Sequence, residues 1–88
     1  MVKIKGWSRT LELPYRIDYN NTTGKYNRTL GMGEVAVIIG KQKDDSWVVT
    51  YRKYVYPTGQ TYKQMALFKT KQESLDYAYQ YMRGHTNG

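Results

Sequence analysis

The chain predicts an α+β fold: an antiparallel meander sheet of three to five strands with one C-terminal helix packed on one face. Three observations carry that expectation. A capped amphipathic segment closes the chain, runs of strand composition joined by short turns precede it, and 88 residues give room for a single hydrophobic core. One domain is therefore expected over residues 1–88.

Residues 1–33 carry the least regular pattern. Thr10 to Leu13 and Tyr15 to Tyr19 alternate apolar with polar residues and read as one strand bent at Pro14. Asn20-Asn21-Thr22-Thr23-Gly24 is a turn, Lys25 to Leu30 reads as a returning hairpin arm, and Gly31-Met32-Gly33 loosens the chain. A three-stranded meander over residues 34–69 is clearer. Val35 to Ile39 is β-branched and ends at Gly40, and the polar turn Lys41 to Ser46 leads into a long strand, Trp47 to Tyr56. Pro57-Thr58-Gly59 turns the chain, and Gln60 to Lys69 returns as an antiparallel neighbour.

Thr70-Lys71-Gln72-Glu73 is a capping box, in which the Thr70 hydroxyl accepts the Glu73 amide and the Glu73 carboxylate reaches back to the Thr70 N–H. Leu75, Ala78, Tyr79 and Met82 follow at helical spacing as one apolar stripe. Gly84 stands where a left-handed residue ends such a helix, so the helix is expected over 70–84 with a frayed tail at 85–88. Tyr77 and Tyr81, one turn apart and outside that stripe, are expected to widen the buried face or cover the N-terminal strands rather than contact a ligand, and would also suit a protein interface.

The chain contains no cysteine, and its first residues lack the apolar core of a secretory signal. An intracellular, cytoplasmic protein that uses no disulfide, cofactor, metal or membrane is the expectation. Asn20, Asn21 and Asn27, each in an Asn-x-Thr triplet, belong to the turn-rich segment rather than to a glycosylated loop. Fourteen basic and seven acidic residues give a formal charge of +7, which attracts polyanions. Its distribution says more than its total. From Ser46 to Lys71 there is no carboxylate, while Arg52, Lys53, Lys63, Lys69 and Lys71 are interleaved with six aromatic residues.

Strand alternation sorts those residues onto two faces. Trp47, Val49, Tyr51, Ala66 and Phe68 suit the helix side. Thr50, Arg52, Tyr54, Tyr56, Thr61, Lys63 and Met65 are then expected on the open side. Arg52 and Lys63 there would neutralise phosphates, Tyr54 and Tyr56 would stack on bases or enter a groove, and Lys41 and Lys43 would reach the flanking backbone. A solvated sheet face of good strand formers is the plainer account of the same residues.

Catalytic chemistry finds no foothold. His85 lies in the tail, Asp44-Asp45 is a turn pair, Glu73 caps the helix, and Asp76 stands in its first turn. Gly31-Met32-Gly33 lacks the rest of a dinucleotide fingerprint, and Gly40-Lys41 lacks the earlier glycine of a phosphate loop. The expected function is non-enzymatic binding of DNA or RNA through the open sheet face. The alternative is a protein-interaction module, such as a virus- or phage-encoded inhibitor that meets an acidic protein. Single- or double-strand preference and oligomeric state are not legible.

Residues 40–82 also resemble the N-terminal arm-type DNA-binding domain of tyrosine recombinases (integrases). The shared features are a polar turn entering Trp47-Val48-Val49, a second turn at Pro57-Thr58-Gly59, and Phe68-Lys69-Thr70-Lys71-Gln72-Glu73 opening the terminal helix. The resemblance implies a three-stranded sheet lying in the DNA major groove with the helix behind it, and contacts from Arg52, Tyr54 and Lys63.

Overall fold

The computed structural model describes residues 3–21, 26–27, 32–33, 35–55, 59–86 and 88, with the side chains of all but 26–27, 32–33 and 54–55. Its elements are β1 (Trp7–Leu13), β2 (Arg16–Asn21), β3 (Tyr26–Asn27), β4 (Met32–Gly33), β5 (Val35–Lys41), β6 (Trp47–Val55), β7 (Gly59–Phe68) and α1 (Lys71–Gly84). Five strands form one antiparallel sheet in the order β1-β2-β5-β6-β7, with α1 packed on one face. The fold is α+β, as expected.

The most apolar run of the sequence occupies the middle of this sheet. Val35, Ala36, Val37 and Ile39 of β5 are all buried, which is why their stretch reads as continuous rather than alternating. Ile17 and Tyr19 of β2, and Trp47 and Val49 of β6, flank Val35, Val37 and Ile39 and complete the surface on which Ala78 and Met82 of α1 rest.

Thr70 caps the helix, its hydroxyl accepting the Glu73 amide at 3.2 Å. The Glu73 carboxylate accepts the Thr70 hydroxyl at 3.0 Å instead of the expected backbone N–H. Gly84 proves to be helical, and the cap falls on His85 at φ −135°. Of the tail expected to fray, His85 and Thr86 are tied back to the sheet. The Trp7 indole donates to the His85 carbonyl at 2.9 Å, and the Asn21 amide donates to the Thr86 carbonyl at 3.0 Å.

Residues 10–19 form a hairpin rather than one bent strand. Leu13 pairs with Arg16 across Pro14-Tyr15, so the proline turns the chain back. Of the expected hairpin arm at 25–30, Tyr26–Asn27 pairs with Met32–Gly33 in a separate two-stranded ladder, and the rest lies outside the described residues. The β5–β6 turn is held by Asp44, whose carboxylate accepts the Ser46 hydroxyl at 2.6 Å and the Ser46 amide at 3.0 Å. Those two bonds hold the Asp44 carboxyl below its ordinary value.

One irregularity changes the expected faces. Val49 pairs with Ala66 but Thr50 pairs with Gln64, which leaves Met65 as an extra residue in β7. Unbroken alternation from Phe68 would aim Gln64 at the helix, where a buried amide without a partner is costly. The bulge turns Met65 inward against the core instead. Every residue of β7 before it then changes face relative to the simple alternation.

Candidate functional site

Pairing across the five strands lays the helix-free face out in three rows. Leu13, Arg16, Gly40, Val48 and Leu67 form the first, at the end where the helix begins. Leu11, Asp18, Ile38, Thr50 and Gln64 form the second. Ser8, Asn20, Ala36, Arg52 and Tyr62 form the third, at the β6–β7 hairpin end. Leu67 is 53% exposed and Tyr62 61%, so the β7 side of this face is open to solvent. Ala36 is fully buried and the Asn20 side-chain oxygen is enclosed, so the face is closed at that corner, contrary to a wholly bare platform.

Arg52 stands on this face, as alternation required. It shares its row with Tyr62, whose hydroxyl donates to Gln60 at 2.5 Å. Tyr62 is a ring that simple alternation placed wrongly, since the bulge at Met65 decides its face. A signal for it does lie in the sequence: without a bulge, Gln64 would enter the core. The face also holds a carboxylate, Asp18, but Arg16 clasps it through two bonds of 2.8 and 3.0 Å. Asp18 therefore leaves the charge of Arg52 uncancelled.

Lys63, expected on the open face, pairs with Tyr51 and so takes the helix side. Thr61 does too, opposite Lys53, to whose carbonyl its hydroxyl donates at 3.3 Å. Both Lys53 and Lys63 remain exposed. Arg52, Lys53 and Lys63 make no ion pair among the described residues. Of the other expected positions, Lys41 is engaged by Asp45 at 3.3 Å, and Lys43 is exposed in the same turn. Tyr54 contributes its backbone to β6, while Tyr56 lies outside the described residues.

Recesses border the helix side, two of them at opposite edges of the sheet. Tyr51, Lys63, Gln64, Met65, Tyr77 and Tyr81 line a cleft of about 320 Å³ between α1 and the hairpin. The other, of about 510 Å³, lies at the opposite edge against Lys3, Lys5, Trp7, Arg9 and Tyr19. Arg9 is committed there. It donates to both carboxylate oxygens of Glu12, at 2.6 and 2.9 Å, and twice to the Tyr19 hydroxyl, at 3.1 and 2.8 Å. Among the described residues no group of His, Asp or Glu is placed to hold a metal ion, and no helix is long and apolar enough to cross a membrane. No protein-family model, curated protein or solved structure matches the chain.

Proposed function

We propose that the protein is a non-enzymatic, cytoplasmic nucleic-acid-binding module that works through its β6–β7 hairpin. One observation carries the reading: an edge ribbon without a carboxylate from Ser46 to Lys71 presents free cations on both of its faces. Arg52 beside Tyr62 serves the open side, and Lys53 and Lys63 serve the other. Phosphates would be neutralised by those cations, while Tyr62 offers a ring to a base.

The experiment is an oligonucleotide titration across salt concentrations. Binding at low salt should weaken steeply as salt rises, because each neutralised phosphate releases counterions. Arg52→Ala and Lys63→Ala should each lower the salt slope by about one unit. Absent or salt-insensitive affinity would refute the proposal.

A second reading is favoured by the β6–β7 end of the first row of the open face, where Val48 and the exposed Leu67 are paired neighbours, with Ile38 in the next row. That patch suits a protein partner. Co-purification separates the two readings: nucleic acid supports the first, a stoichiometric protein the second.

A further inference from the structure

We propose that the cleft between α1 and the hairpin takes one unpaired base of a single-stranded nucleic acid, with the adjoining phosphate on Lys63. The inference rests on the nucleic-acid reading above and assigns the form of the ligand and a second surface for it.

The cleft, about 320 Å³, lies at the small end of ligand-pocket sizes and suits one planar group better than a folded segment. Tyr51, Tyr77 and Tyr81 line it together with Lys63, Gln64 and Met65. Tyr81 is fixed by edge contacts to Tyr51 at 6.2 Å and Trp7 at 6.5 Å and by stacking on His85 at 4.0 Å. Tyr77 leans on Phe68 at 5.5 Å. Rings held this way lose little freedom when a base stacks on them. Burial first, then the nearness of Tyr51 and Tyr77, pushes the Tyr81 phenol above its ordinary value.

Three tyrosines alone would equally suit a quaternary ammonium. Lys63 decides against it, because it lines the same cleft and makes no ion pair among the described residues. The helix acids do not intervene: Glu73 bonds Thr70, and Asp76 accepts from Gln72 at 2.9 Å. A flat ring carrying a negative charge is the complementary ligand. Lys53, farther along the same side, and Arg52, round the ribbon, continue the cationic track beyond what one nucleotide would use. That continuity selects a strand over a free nucleotide. A base inside a duplex cannot enter the cleft without leaving its stack.

The test compares four probes by fluorescence anisotropy and by the tyrosine ring resonances of the intact protein. They are a single-stranded oligothymidylate of about ten nucleotides, the same strand without bases, its duplex, and thymidine monophosphate. The single strand should bind roughly 10-fold or more tightly than the abasic strand, as stacking requires. It alone should shift the rings of Tyr51, Tyr77 and Tyr81. Tyr77→Leu should remove the preference for bases and leave the abasic strand's affinity unchanged. Should that variant fail to fold, the ring shifts of the native chain decide. Equal binding of the abasic strand or the duplex, or rings that do not shift, would overturn the cleft assignment. If Arg52→Ala still weakened binding in that case, the hairpin reading would survive. No binding by any strand at low salt would defeat both. Equal ring shifts from the monophosphate at the strand's concentration would assign the cleft to a free nucleotide.

Discussion

Tyr19 shows how single side chains apportion the charge of this protein. It is 2% exposed, and its hydroxyl is satisfied by the Arg9 guanidinium, which is held in turn by Glu12. A cation that composition would offer to a ligand is therefore occupied internally. Tyr79 stands edge-on to Tyr19 at 6.0 Å, and burial first, the Tyr19 hydroxyl second, pushes its phenol from the ordinary 10.0 up to about 12. The folded chain thus holds a proton that the unfolded chain releases. This contribution to stability is complete below pH 10 and is lost as pH climbs toward about 12. Ultraviolet titration of the phenolates should show Tyr79 ionising after the exposed tyrosines, and Tyr79→Phe should remove that late step; a late step that persisted would discredit the assignment. Arg52 was legible at this scale, because alternation along β6 is unbroken. Lys63 and Tyr62 were not, because their faces depend on a residue of β7 that has no partner.

At the scale of elements, end signals were easier to read than changes of direction. The helix start followed from local chemistry, since a Thr70 hydroxyl and the Glu73 amide three residues on need only each other. Thr70→Ala should cost about 1 kcal/mol and lower the melting temperature by roughly 4–8 °C. Circular dichroism melts would test this, and an unchanged midpoint would show the cap to be idle. The helix end was less legible. Gly84 was expected in the left-handed region, yet the ties from Trp7 to His85 and from Asn21 to Thr86 carry the chain on. Those partners lie 78 and 65 residues away, beyond any local pattern. Pro14 was similarly ambiguous: a proline bends a strand or turns a hairpin, and pairing of β1 with β2 chose the hairpin.

For the molecule as a whole, the formal charge of +7 has two consequences of opposite sign. Screening by salt relieves self-repulsion in the folded state, and it also weakens any attraction to a polyanion. Raising ionic strength should therefore raise the melting temperature while lowering oligonucleotide affinity. A melting temperature that fell with salt would show that attractive pairs such as Arg16–Asp18 outweigh the repulsion. Sequence by itself determined the α+β class, the β5–β6–β7 meander, the helix and its apolar stripe, and the acid-free cationic ribbon. All of these depend on composition and short-range periodicity, which a linear chain displays directly. Only the tertiary structure decided that Lys63 leaves the open face for a tyrosine-lined cleft, that Arg16 clasps Asp18 on that face, and that the chain's end is fastened to Trp7 and Asn21. Each depends on which strand lies beside which, and in what register; a single unpaired residue, Met65, is enough to exchange the two faces of β7 beyond it.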